Sequence, residues 1–179
     1  MTAYLDNSAT TPVCSEAVEA MKTAVTELWG NPSSLHQKGI EADEMLENAR
    51  SNVARRLFCR DDEVYFTSGG TESNNLAVQG AAHAMRRRGR RIVTTSVEHP
   101  SIDETVKHLE NEGFEVIRLG VDKNGRISER ELFEAVTPDT ILVSIMAVNN
   151  ETGTIQPVEA ARTAVTRAKS PALVHCDAV

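Results

Sequence analysis

Aromatic side chains are scarce in this chain of 179 residues, at 4% of the total, although hydrophobic residues reach 40%. A buried core must therefore be built mainly from Val, Ile, Leu, Ala and Met. Charged residues make up 25% of the chain, which is typical of a globular protein and not of a disordered one. The length suits one domain of ordinary size, or one large part of a bigger domain.

Cysteines are also few, and their positions indicate free thiols. Cys14, Cys59 and Cys176 are odd in number and widely spaced, and no C-x-x-C or zinc motif is present, so no metal site is expected. Free thiols favour a reducing, cytoplasmic location. Cys176 is expected to be a small buried hydrophobe that points to the opposite strand face from Asp177.

Signals for secretion, membranes and nucleic acid are missing. The N-terminal "MTAYLDNSATTP" has no basic segment followed by an apolar one, so we expect no signal peptide, and no apolar run approaches the length of a membrane helix. The formal net charge of −7 argues against nucleic acid or an anionic membrane as a partner. The basic run "MRRRGRR" (85–91) fits a solvated helix end, and a binding patch is the alternative.

Helical and strand patterns alternate along the chain. This alternation predicts an α/β fold with a mostly parallel sheet. The almost wholly apolar run 140–148 is typical of a strand that is buried on both faces. The helix predicted at 40–58 is expected to turn Val53 and Leu57 inward. The other predicted helices begin near residues 16, 75, 100, 129 and 157, and the other predicted strands are 63–68, 91–96, 114–119 and 172–179.

Polar residues follow several of these strands. In parallel sheets, ligands bind at the carboxyl ends of the strands, so these residues define a candidate site. They are Ser68-Gly69-Gly70-Thr71, Glu98-His99, Asn149-Asn150-Glu151, and His175 with Asp177.

The Gly69-Gly70-Thr71 turn leads from a predicted strand into a helix. Glycines let the backbone approach a ligand, and the free N–H groups of a helix N-terminus favour an anion such as phosphate. Neither the Walker pattern nor the dinucleotide G-x-G-x-x-G is present. The alternative is an ordinary glycine-rich turn with Thr71 as the helix N-cap.

His99 and Asp177 complete the candidate site. A neutral imidazole at position 99 suits stacking on a flat ring or accepting a proton, and a helix-start histidine bonded to backbone is the alternative. A buried carboxylate at the end of a strand needs a charged or hydrogen-bonded partner, unless it merely caps a loop. A protonated ring nitrogen would be such a partner, so the three features together match the needs of pyridoxal phosphate (PLP).

The motifs of the chain resemble those of one enzyme family in both order and spacing. They are "YLDNSATTP", "NPSSLHQKG", "FTSGGTESNNLAV", "EH" after a strand, "ILVSIMAVNNETGTIQP" and "VHCDAV". The family is that of the cysteine desulfurases of the NifS/IscS type, which are PLP enzymes of the class V aminotransferase group. The resemblance covers the whole chain.

The resemblance implies a fold and a set of site residues. The expected fold is a three-layer, mostly parallel α/β sheet, the PLP-binding large domain of fold type I, here truncated. Segment 1–14 would lie near the active-site mouth, and 15–179 would form the N-terminal part of that large domain. By this resemblance, Gly70 and Thr71 would bind the phosphate, His99 would stack on the ring and act as an acid–base catalyst, and Asp177 would pair with the ring N–H⁺. Asn149 would contact the cofactor oxygen and the substrate.

The resemblance also places residues outside the cofactor site. Ala9 and Thr10 would lie at the mouth of the active site, and His36 and Gly39 would lie near a dimer interface.

The resemblance also implies a reaction and partners. The whole enzyme would be a cytoplasmic homodimer that takes sulfur from L-cysteine, giving L-alanine and an enzyme persulfide. That sulfur would pass to an acceptor protein for iron–sulfur cluster or thiolated-RNA synthesis. The family's Schiff-base lysine, catalytic cysteine and substrate-binding arginine would lie beyond Val179, so this chain alone is expected to be inactive and to need a C-terminal half or second chain.

Two alternatives remain open at this point. One keeps the fold and changes the substrate, as in a selenocysteine lyase or another class V PLP enzyme. The other is a catalytically inactive, truncated chain that acts as a binding or dimerisation module.

Overall fold

The computed structural model describes residues 3–179. Residues 1 and 2, the start of the predicted segment 1–14, lie outside the described residues. The chain divides into one unit that ends at Phe66 and a second that runs from Thr67 to Val179. The helices are α1 (Ser15–Thr26), α2 (Gln37–Leu57), α3 (Gly70–Met85), α4 (Pro100–Asn111), α5 (Glu129–Ala135) and α6 (Val158–Arg167). The strands are β1 (Arg91–Thr95), β2 (Glu115–Leu119), β3 (Thr140–Ser144) and β4 (Leu173–His175).

The first unit consists of α1, α2 and a short 3₁₀ turn at Asp61–Glu63. Both predicted helices form, but their apolar faces are more exposed than the sequence suggests. No residue of α1 is buried, and α2 buries only Gly39, Ala42 and Ala54. The prediction that Val53 and Leu57 point inward is wrong, because they are 37% and 66% exposed. Helical periodicity locates an apolar face but does not tell what covers it.

The "HQKG" stretch has a local structural role at the start of α2. The Nδ1 atom of His36 accepts a hydrogen bond from the N–H of Gly39 at 3.3 Å, so His36 caps the helix. A Cβ atom on Gly39 would lie 2.1 Å from the carbonyl oxygen of Ser34. Only glycine fits this close approach of two backbone segments. The predicted place of His36 and Gly39 near a dimer interface stays a prediction.

The second unit contains a four-stranded, all-parallel sheet with the order β2-β1-β3-β4. Strand β3 is buried along its whole length, as its apolar sequence predicts. Strand β4 lies at the edge of the sheet, where Leu173 and Val174 are exposed. This topology confirms the predicted α/β fold and parallel sheet.

Two separate apolar clusters cover the two faces of this sheet. One packs α3 and α4 against the sheet, with Val78, Ile102 and Ile92 among its fully buried members. The other packs α5 and α6 against the opposite face, through residues such as Leu132 and Ala161. The result is the expected helix–sheet–helix arrangement in three layers.

Several sequence-based boundaries differ from the structure. The strand predicted at 63–68 is absent: Asp61–Glu63 is a 3₁₀ turn, and no strand within residues 3–179 pairs with the extended backbone that follows it. Strands β3 and β4 end at Ser144 and His175, earlier than predicted, although the N–H groups of Ile145 and Ala147 still donate to the carbonyls of His175 and Asp177. Cys176 is exposed and not buried, because it follows the edge strand β4.

Within residues 3–179, no helix combines the length and the apolar character needed to cross a lipid bilayer.

The first testable prediction concerns the core beneath the sheet. Replacing the fully buried Ile92 with alanine should lower the free energy of unfolding by about 2–5 kcal/mol, because it removes buried methyl groups and leaves a cavity. Ile155→Ala is the matched control, since Ile155 is exposed and its loss should cost less than about 0.5 kcal/mol. Urea unfolding of both variants measures the difference, and equal midpoints would contradict this core assignment.

Candidate active site

The predicted phosphate-binding turn forms the N-terminus of α3. The helix begins at Gly70, and the extended Gly69 precedes it as N-cap without any side-chain capping bond. Thr71 lies inside the first turn, so the alternative in which Thr71 is the N-cap is wrong. The N–H of Ser73 donates to the carbonyl of Gly69 at 3.1 Å, and the earlier helical N–H groups have no acceptor within the helix. These N–H groups can hold an anion.

Gly70 lies against the last residue of the chain. A Cβ atom at Gly70 would be 3.0 Å from Cγ2 of Val179. Around Gly69, by contrast, a Cβ would meet no other atom of the second unit within 4 Å. The N-terminus of α3 is therefore next to the segment that follows β4.

Asp177 is a buried carboxylate at that same place, only 9% exposed. Its Oδ2 accepts a hydrogen bond from Nδ2 of Asn74 at 2.8 Å, and its Oδ1 accepts one from the N–H of Val179 at 3.1 Å. Its carbonyl accepts from the N–H of Ala147 at 2.7 Å, which fixes the backbone. A carboxylate has about four lone-pair positions, so Asp177 keeps acceptor capacity for a further donor.

A chain of hydrogen bonds links Asp177 to His99. Besides its bond to Asp177, Nδ2 of Asn74 donates to Oγ of Ser101 at 2.9 Å. The Ser101 hydroxyl lies 2.8 Å from Nδ1 of His99, and the Ser101 N–H donates to the same nitrogen at 3.1 Å. Nδ1 is thus an acceptor, and a neutral His99 carries its proton on Nε2.

Asn74 and Ser101 are residues of the candidate site that the sequence analysis missed. Asn74 lies within the quoted motif "FTSGGTESNNLAV", and Ser101 comes two residues after the quoted "EH". Asn74 is three residues after Thr71, so both side chains lie on the same side of α3. That helical spacing is the signal that could have identified Asn74.

Asn149 is buried, and its amide group is occupied by local bonds. Its Nδ2 donates to the carbonyl of Val97 at 3.0 Å. Its Oδ1 accepts from the N–H groups of Glu151 and Thr152 at 3.0 and 2.9 Å. Asn149 therefore joins its own loop to the segment that leads to His99. This position is near the His99 segment, while its predicted contact with a cofactor stays a prediction.

Glu98 is a second carboxyl group in the site. Burial raises the pKa of Glu98 from 4.5 to about 7; hydrogen bonds from the N–H of Met146 and the hydroxyl of Thr95 oppose that shift, and the charge of Asp177 adds to it. The site therefore contains two carboxyl groups: both oxygens of Asp177 accept hydrogen bonds, whereas Glu98 has a raised pKa.

His175 lies two residues before Asp177 and is partly buried. Its Nδ1 is 2.9 Å from Oγ of Ser144, a fully buried residue of β3. Burial lowers the pKa of His175, and the charge of Asp177 opposes that shift. This contact connects the end of β4 to the central strand β3.

The geometry fits a flat, phosphorylated and cationic ring. The first turn of α3 offers N–H donors for a phosphate, Asp177 offers a carboxylate for a ring N–H⁺, and the exposed His99 ring is linked to Asp177 through two side chains. The residues present thus agree with the chemistry that PLP requires of its binding site. A parallel, three-layer α/β fold with such a site is typical of PLP-dependent enzymes.

Comparison with known proteins identifies the family. The aminotransferase class-V family matches residues 3–179, and the chain belongs to that family. Its enzymes are PLP-dependent, which agrees with the cofactor expected from the sequence.

Curated relatives carry the names that the motifs suggest. A "NifS/IcsS protein homolog" of Lactobacillus delbrueckii subsp. bulgaricus is 54% identical over 156 residues, which are 87% of this chain and 40% of the relative. A "Cysteine desulfurase IscS" of Methanosarcina thermophila is 51% identical over 87% of this chain and 39% of the relative. The chain thus spans about 40% of the length of these relatives.

Solved structures confirm the fold. A "NIFS-LIKE PROTEIN" matches with a TM-score of 0.95 and 45% identity, over 100% of this chain and 49% of the other. "SspA in complex with cysteine" matches with a TM-score of 0.88 and 35% identity, over 97% of this chain and 50% of the other. Both the predicted NifS/IscS resemblance and the predicted fold are confirmed.

The second prediction tests the hydrogen-bond chain. Asn74→Ala removes a donor that serves both Asp177 and Ser101, and leaves a buried carboxylate oxygen unpaired. We expect the free energy of unfolding to fall by about 1–3 kcal/mol, more than for a surface bond. Asn52→Ala is the matched control, because exposed Asn52 only accepts a bond from Arg55. Similar unfolding midpoints for the two variants would show that the buried bond contributes no more to stability than the exposed one.

Proposed function

We propose that this chain is the cofactor-binding N-terminal part of a PLP-dependent cysteine desulfurase. The whole enzyme takes sulfur from L-cysteine and gives L-alanine and an enzyme persulfide. Residues 1–179 alone are inactive, because in our proposal the lysine that holds the cofactor and the sulfur-accepting cysteine belong to another segment or chain. The names of the relatives support the reaction, and the cysteine bound to SspA supports the substrate class.

One observation carries this proposal: the unbroken series of hydrogen bonds from Asp177 through Asn74 and Ser101 to His99. It fixes a carboxylate and an imidazole beside a helix N-terminus. A phosphate-binding turn alone would fit many ligands. A buried strand-end carboxylate linked to an imidazole narrows the choice to a ligand with a ring cation as well as a phosphate.

Each residue has a distinct role in the proposed site. The N–H groups in the first turn of α3 and the Thr71 hydroxyl bind the phosphate, and Gly70 keeps the approach to them open. Asp177 holds a proton on the ring nitrogen, and Asn74 orients that carboxylate. PLP, when bound, supplies an electron sink that stabilises negative charge at the substrate carbon.

His99 and Asn149 act on the other sides of the ring. The His99 imidazole packs on the ring face, and its Nε2 exchanges a proton with the substrate, since Nδ1 is occupied by Ser101. Asn149 orients the loop beside the cofactor oxygen and the substrate. The further proposals are a cytoplasmic homodimer, an acceptor protein for the persulfide sulfur and a role in iron–sulfur cluster assembly.

The third prediction tests the reaction. Residues 1–179, supplied with PLP, L-cysteine and a thiol reductant, should form no alanine, and joining them to a complementing C-terminal half should produce alanine and sulfide. In the joined protein, Asp177→Asn should lower turnover roughly 100-fold or more, which is the scale expected when one preorganised electrostatic group is removed. Asp43→Asn, a change on the exposed surface of α2, should leave turnover unchanged.

The alternatives give different results in the same assay. A preference for L-selenocysteine over L-cysteine would favour a lyase of that substrate. Absence of any turnover in the joined protein would favour an inactive binding module. Alanine formation by residues 1–179 alone would contradict the proposed division of the catalytic residues.

A further inference from the structure

Glu98 has a side chain whose two oxygens lie in different surroundings. Its Oε1 accepts two hydrogen bonds, one from Oγ1 of Thr95 at 2.8 Å and one from the N–H of Met146 at 3.0 Å. Its Oε2 is buried and has no hydrogen-bond partner within residues 3–179. Thr95 ends β1, while Met146 lies two residues beyond β3, so the carboxyl group joins the chain after two neighbouring strands.

The Met146 N–H would have no acceptor without Glu98. The N–H groups on either side of it, of Ile145 and Ala147, donate to the carbonyls of His175 and Asp177 at 3.1 and 2.7 Å. Because N–H groups alternate in direction along a strand, the Met146 N–H points toward the β1 side of the sheet. Strand β1 has already ended there, and the Glu98 carboxyl takes the place of the missing backbone carbonyl.

We propose that Glu98 is a positioning residue of the candidate site, whose carboxyl group accepts from Thr95 and Met146 and so holds the His99 segment onto the chain that follows β3. This inference rests on the proposed function, because it assigns Glu98 to the site that binds the cofactor. In this role Glu98 acts through His99, its neighbour in the chain, and not by its own contact with substrate or cofactor. Asn149, which donates to Val97, holds the same segment from the other side.

Burial is the main cause that favours the neutral form of Glu98; its two hydrogen bonds oppose that effect, and the charge of Asp177 adds to it. Asp177 and Cys176 face it from the end of β4, and the charge of each carboxyl group disfavours ionisation of nearby acids. His99 is adjacent in sequence, and His175, two residues before Asp177, interacts with the charge of Asp177. An ionised Oε2 would be a buried, unpaired anion next to the Asp177 carboxylate, and such a group is expensive to keep out of water.

The direction of the pH effect follows from burial. The folded pKa of Glu98, about 7, is above its ordinary value of 4.5. The position in which Glu98 accepts from the Met146 N–H is therefore fully favoured below pH 4.5, and it loses its advantage over a solvent-exposed position as the pH rises through 7. Asn149 and the backbone bonds of β3 to β4 do not titrate in this range, so the change should be local to the Glu98 contact.

The fourth prediction measures hydrogen exchange of single amides in the full chain. Between pH 5 and pH 8, after correction for intrinsic rates, the protection of the Met146 N–H should fall roughly 30- to 100-fold relative to that of Ala147, which is the effect of the pKa difference above. Ala147 is the internal control, because its acceptor is a backbone carbonyl. In Glu98→Gln, whose amide mimics the protonated acid, the ratio should stay constant. Glu104→Gln, on the exposed face of α4, should behave like the wild type.

The same ratio of amide protection can also contradict the proposal. A wild-type Met146 to Ala147 protection ratio that stays constant from pH 5 to pH 8 would overturn it. A carbon-13 titration of the wild-type Glu98 carboxyl requires no variant, and a midpoint near 4.5 would likewise overturn it.

A second measurement connects Glu98 to the cofactor site. The dissociation constant of PLP is measured by equilibrium dialysis for the wild type and for Glu98→Gln, and their ratio cancels the ionisation of PLP itself. The ratio should be near one at pH 5, and the wild type should bind about tenfold more weakly at pH 8. Equal affinities at pH 8 together with a pH-dependent Met146 amide would show a purely structural link and overturn the positioning role. If neither protein binds PLP at any pH, the proposed function fails, while the amide ratio still decides how Glu98 acts.

Discussion

The candidate site depends on keeping the carboxylate of Asp177 inside the protein. A buried anion is tolerated only with hydrogen-bond donors, and here Asn74 and the backbone of Val179 supply them. Once Asn74 is committed to Asp177, its second N–H can reach Ser101, and Ser101 in turn orients His99. One buried charge thus determines the orientation of side chains from α3, α4 and the segment after β4.

The three-layer sheet makes this arrangement rigid. Strands β1 and β3 are central and covered on both faces, so the segments that leave their carboxyl ends start from fixed positions. Glu98 and Asn149 then tie those two segments to each other, while Ser144 contacts His175 at the edge strand. Core packing sets the spacing between strands, and polar side chains set the direction of each loop. The site is therefore a consequence of the topology as much as of its individual residues.

The sequence predicts the regular parts of this structure well and the coverage of its surfaces poorly. Alternating patterns identify all four strands of the sheet, and the strand-end positions of His99, Asn149 and Asp177 follow from the parallel arrangement. The pattern at 63–68 is as strand-like as that at 91–96, yet within residues 3–179 only the latter pairs with another strand, because pairing is a long-range property. Asn74 was not singled out, and Glu98 was placed at a strand end but given no role, since a hydrogen bond across 103 residues or a displaced pKa leaves no local pattern.

The bond between Asn74 and Asp177 joins residues that are 103 positions apart. Contacts of such large sequence separation form late in folding, because the entropy of closing a long loop is lost before the contact can stabilise the chain. During synthesis, α3 leaves the ribosome well before β4, so Asn74 is available before Asp177, its hydrogen-bond partner. A nascent chain in which β3 has left the ribosome but Asp177 has not could pair β1, β2 and β3 before the Asn74–Asp177 bond of the candidate site can form.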